Sequence, residues 1–453
     1  MASPKNREWI EHATTFLAAP VPDDVRDRGA QVVTDVLTAA VAGVDTETNE
    51  RVATGMTLPP GDASVLGTDR TTDPGSAALV NATAAITPEI EEGHNTGGHV
   101  GASIVVGGFA LAEAHDADGE AFVEGVVKAY ELCTRIENAI FLMKDRMNEA
   151  LPWLLRDPHS TWTTIGPAVA GAIAMGADDE TVAEAFRLAA NLAVVSMHDP
   201  YQEGAPARNF TAGFSAQAGV NAALAAAAGL DGSRSAMTEV YDPLRKMKGE
   251  AFDTSFADLG DDWTILENYY KFTPSCRYTH APLGALEQIV NDVRVDEVES
   301  VDVYAYRNAC DLDYADYTTM TSAKFSIPYV LGRYLAVGGR DLWLDDFTGD
   351  ALDDSKTRSL AQHIHLHHDP AYEELFPERW SARVEVTHTD GTTVSAECLD
   401  APGDYRSFPS DDALVDKFER LLATRLDGAP GALDALLDVR NHEVRAVGAA
   451  LRS

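Results

Sequence analysis

Apolar positions recur at the helical period through most of the first 260 residues. GAQVVTDVLTAAVAGV (29–44), GASIVVGGFALAEAH (101–115), GEAFVEGVVKAYELCTRIENAIFLM (119–143) and DETVAEAFRLAANLAVVSM (179–197) place apolar side chains at i, i+3, i+4 and i+7. That spacing predicts helices with one buried face. GFSAQAGVNAALAAAAGL (213–230) is apolar nearly all round and predicts a helix packed on every side. Small residues let such helices approach closely, and DADGE, GADDE and LDGSRS supply turns between them. Past residue 270 the period shortens to two. VESVDVYAYRNA (298–309), HIHLHH (363–368) and RWSARVEVTHTDGTTVSAECL (379–399) alternate apolar and polar residues, and the Asp-Gly in THTDGTTV predicts a hairpin. After SFPSDD the helical period returns in DALVDKFERLLATRL and GALDALLDVRNHEVRAVGAALR. The prediction is a mainly α protein. A large all-helical domain (residues 1–268 plus 405–453) carries a smaller inserted α+β lid domain (residues 269–404).

Composition narrows the function classes. With 45% hydrophobic and 24% charged residues the chain of 453 residues is globular, not disordered, collagen-like or disulfide-stapled. No apolar run reaches the ~18 residues a bilayer requires. The polar start MASPKNREWIEHATTF lacks the apolar core of a signal peptide, which predicts a cytoplasmic location. Against 72 Asp plus Glu stand 35 Lys plus Arg, of which only 9 are lysine, for a net charge of -37. Such a surface repels phosphate backbones, so neither nucleic acid nor an anionic membrane is an expected partner. Self-repulsion of that size calls for screening and predicts a high-salt cytoplasm. It also means that acidic clusters are by default solvated surface.

Cofactor signals are missing. The cysteines Cys133, Cys276, Cys310 and Cys398 form no C-x-x-C pair, so zinc-ribbon and iron–sulfur spacings are absent and reduced thiols are expected. There is no G-x-G-x-x-G after a strand, no Walker A, no H-E-x-x-H and no G-x-S-x-G. On a strand His363, His365 and His367 share one face and resemble a metal site, but an exposed strand is the plainer reading. No metal or cofactor is expected.

Four polar segments interrupt the helical body where packing alone does not ask for them. PEIEEGHNTGGHVGAS (88–103) sets Glu89, Glu91, Glu92 and two histidines between apolar helices. The glutamates suit acid–base work or the orienting of a histidine, against a competing reading as helix-end acidity. His99 stands just before the helix opening at Gly101, whose N-terminus favours an anion and disfavours an imidazolium. DPHSTWTTIGPAVAGA (157–172) places His159 ahead of a Ser/Thr-rich helix entry. GAPARNFTAGFSAQAG (204–219) sets Arg208 ahead of an apolar helix, where a carboxylate partner is expected. YYKFTPSCRYTHAPLGAL (269–286) packs Lys271, Cys276, Arg277, Tyr278 and His280 into ten residues of a cation-poor chain. Together they predict a pocket of His, Arg and Lys suited to di- or tricarboxylates.

At these segments the chain resembles the MmgE/PrpD family, which includes 2-methylcitrate dehydratase, cis-aconitate decarboxylase and iminodisuccinate epimerase. KFTPSCRYTHAPLGA is similar to its K-x-x-P-S-C-R-x-T-H-P motif and SAKFSIPYVLG (322–332) to its A-x-F-S-x-P-Y motif. RNFTAGFSAQAGVNAALAAAAGLDG and DPHSTWTTIG resemble its K-x-x-H-A-G helix entry and its H-x-T-x-x-x-x-G segment. The resemblance implies a dimer of helical domains with α+β lids, an active site between the two, and no metal. It carries the family's leading aspartate onto Glu89, its two histidines onto His99 and His159, and its lid lysine onto Lys271. Arg208, Arg277, Cys276 and His280 become substrate-binding positions. The departures are Glu for Asp in the 89–92 stretch, Gly93 for Thr, Val100 for Pro, Arg208 for Lys and Thr211 for His.

The implied function is a cofactor-independent lyase that dehydrates 2-methylcitrate or a related hydroxy-polycarboxylate. One imidazole takes the carbon-bound proton while the other donates to the departing hydroxyl. Lys271, Arg208 and Arg277 steady the developing charge, and Glu89 orients a ring. A decarboxylase is disfavoured because Cys276 and Thr211 replace ionisable residues; an epimerase of an imino- or amino-diacid stays open. From another class, a non-catalytic carboxylate-binding dimer is the competing reading.

Overall fold

The computed structural model describes residues 8–96, 98–142, 156–157, 163–193, 196–197, 203–241 and 251–452. It is mainly helical with a small sheet. The long apolar segments become the helices Asp23–Gly43, Val100–Ala114, Gly119–Leu142, Ile165–Ala174 and Ala207–Ala227. Val100–Ala114 is buried from Val100 to Glu113 because neighbours cover it on every side. A further helix, Pro74–Ile86, joins them. It starts where Asp73 accepts hydrogen bonds from the N–H groups of Gly75 and Ser76, with Pro74 pre-set for the first turn.

Apolar side chains gather in two main cores. One runs from Trp9 to Tyr270 and resumes at Leu414. The other runs from Cys276 to Ala401 and lies under the four-stranded sheet. The strand order there is Thr393–Cys398, Ala382–His388, Val298–Ala305 and Ile364–His368, the last pairing parallel and the others antiparallel. Val301, Val303, Ala305, Ala382, Val384 and Val386 alternate into the core, as a period of two requires. The hairpin turns at Gly391, whose φ of 80° lies in the left-handed region. Ile364–His368 is an exposed edge on which His367 meets Asp302 at 2.7 Å and His368 meets Glu373 at 3.2 Å. Among the described residues no group of three or more His, Cys, Asp or Glu is placed to hold a metal ion, and no helix is long and apolar enough to cross a membrane.

Three elements differ from expectation. Ala207–Ala227 is not packed all round, since Phe214 is 48% and Leu224 is 36% exposed. An Ala-rich pattern is equally apolar on each face and does not say which one is left open. The helix from Asp179 stops at Asn191, and Ser196–Met197 pairs with Arg156–Asp157 instead. The last predicted helix breaks into Ala429–Leu437 and Val444–Ala450. Between them, His442 O accepts the Gly119 N–H at 2.8 Å and Val444 N–H donates to Ala117 O at 3.0 Å. A Cβ at Gly119 would lie 1.7 Å from Val439 O, so that close docking requires glycine.

Candidate active site

The site is built on the turn that follows the helix Pro74–Ile86. Glu89 closes the turn with its N–H on Ile86 O at 3.1 Å and with φ at +56°, a left-handed conformation unusual for a residue with a Cβ. The chain then runs inward, so Glu89, Glu91 and Glu92 are all buried. The default reading of acidic clusters as solvated surface fails here. Buried carboxylates need partners, and the structure supplies them from distant segments.

Glu89 gathers three of the expected residues. Its carboxylate accepts from Arg208, in the first turn of Ala207–Ala227, and from Lys271 Nζ at 3.0 Å. His99 Nε2 lies 3.1 Å from the same carboxylate. The Arg208 guanidinium also bonds Asn209 Oδ1 at 3.1 Å and stands 4.8 Å from the Phe325 ring centre. Burial raises the Glu89 carboxyl, but the opposing charges of Arg208, His99 and Lys271 take it well below the usual range. His99, the residue before Val100–Ala114, turns its Nδ1 to Glu91. Each ring nitrogen therefore faces a carboxylate, which fixes the ring from both sides. Glu91 likewise has burial outweighed by His99 and Lys271 and sits below its ordinary value.

Glu92 is the different member. It accepts the Gly101 N–H at 3.0 Å and the Tyr130 hydroxyl at 2.9 Å. Burial pushes it up to about 8, so it is protonated at neutral pH. A Cβ at Gly101 would lie 2.3 Å from Glu92 Oε1, so glycine is what lets the helix start reach this carboxyl. Charge at the cluster is matched rather than one-signed, with Arg208 and Lys271 facing Glu89 and Glu91.

Other expected residues lie apart from Glu89 or play different parts. Arg277 pairs with Asp404 at 2.5 Å and stacks 4.5 Å from the Tyr269 ring centre. Cys276 is buried and its thiol is pushed up to about 12, so it is not a thiolate at neutral pH. His280 bonds Ser275 O at 3.2 Å, and burial with the nearby Arg277 and Lys271 holds it well below its ordinary value, in the neutral form. His94 is kept neutral by burial, down to about 4, with Nδ1 on Thr96 Oγ1 at 3.0 Å. His159 lies outside the described residues. A cavity of about 530 Å³ lined by Gln31, Thr34, Phe418 and Arg440 includes none of these groups.

Sequence reasoning missed three partners. Lys324 Nζ donates to Thr87 O at 3.2 Å and Pro88 O at 2.6 Å. Lys417 pairs with Asp35 and donates to Ile90 O at 2.9 Å, while Asp35 accepts the Glu92 N–H at 2.6 Å. The signal that singled out Lys271, a lysine in an apolar stretch of a lysine-poor chain, applies also to Lys324 in SAKFSIPY, whereas Lys417 in VDKFERLL sits among other charged residues and carries no such signal.

Comparison with known proteins places this cluster in a family. Residues 8–249 match the MmgE/PrpD N-terminal domain and residues 273–440 match the MmgE/PrpD C-terminal domain. No curated protein matches the chain. Glu89, His99 and Arg208 belong to the first match, Lys324 and Lys417 to the second, and Lys271 lies between them. Since the two matches span most of the chain and supply side chains to one buried turn, the protein belongs to the MmgE/PrpD family.

Proposed function

We propose that the protein is a cofactor-independent lyase that dehydrates 2-methylcitrate or a related hydroxy-polycarboxylate by general acid–base catalysis. Members of its family are generally lyases or related enzymes. The observation that carries the reading is the His99 ring held between two buried carboxylates, with Arg208 and Lys271 on one of them. Proton removal beside a carboxylate builds a dianionic intermediate that needs cations in place before it forms. A substrate carboxylate that displaces Glu89 from Arg208 and Lys271 meets two such donors. Glu89 takes the Nε2 proton with it as it is displaced, which leaves His99 Nε2 free to accept the carbon-bound proton, while Glu91 accepts from Nδ1 and fixes the tautomer. His159, the second histidine that the resemblance carries over, is then left as the acid that protonates the departing hydroxyl. The products are an alkene polycarboxylate and water. We further propose that residues 269–404 act as a lid, and that the protein is a cytoplasmic homodimer in a salt-rich cell. The exposed Phe214 and Leu224 on one helix support the dimer.

The test is incubation with 2-methylcitrate and with citrate at about 1 M salt, where screening is nearly complete, following the absorbance of the new double bond. Turnover that falls about 10²-fold or more in His99→Ala supports the assignment. Absence of turnover with any hydroxy-tricarboxylate overturns it. Inversion of an amino-diacid would then mark an epimerase, and citrate binding without any reaction would mark a binding protein.

A further inference from the structure

Four consecutive carbonyls, those of Thr87, Pro88, Glu89 and Ile90, each accept a hydrogen bond from a buried ammonium group. The donors come from three separate places in the chain: Lys324 at the end of the helix Met320–Lys324, Lys271 after the strand Asn268–Tyr269, and Lys417 in the helix Asp411–Leu422. The protein has only nine lysines, so a third of them end on one four-residue turn. Lys271 and Lys417 also reach carboxylates, whereas Lys324 makes no ion pair among the described residues. An ammonium group buried to 1% exposure without a paired carboxylate is expensive. A methionine would fill the same space without that penalty. What the ammonium does that an apolar side chain cannot is grip the two carbonyls immediately before Glu89, the residue held in the left-handed conformation.

We propose that Lys324 is a positioning residue for His99, acting through the Thr87–Pro88 carbonyls to hold Glu89 in its left-handed turn and so to fix where Glu91 meets the ring. The inference rests on the acid–base reading given above and adds to it a residue that touches neither His99 nor the carboxylate of Glu89. Its backbone serves the same end, since Lys324 O accepts the Cys276 N–H at 2.9 Å and so ties SAKFSIPY to the segment that carries Lys271. A compact ammonium suits two acceptors on one nitrogen better than a planar guanidinium does. Glu89, Glu91 and Lys271 are the charged groups close enough to act on it; burial, the largest cause, lowers its pKa to about 7, and both the ammonium and the amine have N–H groups to donate to the two carbonyls. Without the grip, the turn is free to leave the left-handed region, and Glu91, two residues on, moves relative to His99 Nδ1 while Arg208 and Lys271 remain to bind a substrate.

The test compares Lys324→Met with the parent, using Lys356→Met, at an exposed lysine, as control. Hydrogen exchange read by mass spectrometry on the intact protein needs no substrate. The expected result is exchange at least about tenfold faster in peptides covering residues 87–92, with the helix Val100–Ala114 unchanged. With a turned-over substrate, kcat falls about 10²-fold while KM stays within about threefold, as expected when Glu91 no longer orients the His99 base but binding is kept. Unchanged exchange in the turn, or faster exchange throughout the molecule, overturns the proposal, as does a KM that rises in step with the loss of kcat. If Lys324→Met does not fold, Lys324→Leu, which also removes every donor, carries the same comparison. Should no hydroxy-polycarboxylate react with the parent, the lyase reading fails while the exchange result still decides the role of Lys324.

Discussion

Glu92→Gln should reshape the pH dependence of stability. The Glu92 carboxyl is fully buried, bonded to the Gly101 N–H and the Tyr130 hydroxyl, and faces the negative charges of Asp35 and Glu91. Burial raises it from 4.5 to about 8. Between those values the folded chain keeps a proton that the unfolded chain has released, so stability falls as pH rises. At ~1.4 kcal/mol per pH unit the window amounts to about 5 kcal/mol, fully present below the lower value and lost above the upper one. A glutamine keeps the shape, accepts from Gly101 and donates to Tyr130, and does not titrate. Parent and variant should therefore be close in stability near pH 5, and the variant should lead by several kcal/mol above pH 8. Urea unfolding across that range at constant salt measures the difference, with equal m-values showing that both chains unfold alike. A gap between the two curves that stays constant with pH would refute a protonated Glu92.

Two further outcomes follow from burial and charge. Arg277→Ala strands Asp404 as a buried unpaired carboxylate and should destabilise the fold by ~3–5 kcal/mol, read from the urea midpoint; a loss under about 1 kcal/mol would show the pair to be dispensable. With a net charge of -37, the thermal midpoint should climb between about 0.1 M and about 1 M potassium chloride as the screening length shortens, and an unmoved midpoint would remove the salt-adaptation reading.

The segment patterns carried much of the fold. The helices Val100–Ala114 and Gly119–Leu142 and the hairpin Ala382–His388 with Thr393–Cys398 lie where the periods of 3.6 and 2 put them, because those periods are set by backbone geometry within a few residues. Residue chemistry likewise drew attention to Glu89, His99, Arg208 and Lys271, since charged groups in small-residue apolar surroundings need a reason to be there. What no local pattern contains is the partner across the fold. Glu89 meets Arg208 119 positions away and Lys271 182 positions away, and the Lys324 and Lys417 ammonium groups reach the same turn from still farther along the chain. Only the tertiary structure decides that His99 lies between two carboxylates, that Arg277 is taken by Asp404, and that one face of Ala207–Ala227 stays open. Short-range sterics determine elements from sequence alone, whereas the pairing of buried charges depends on which segments the packing of those elements brings together.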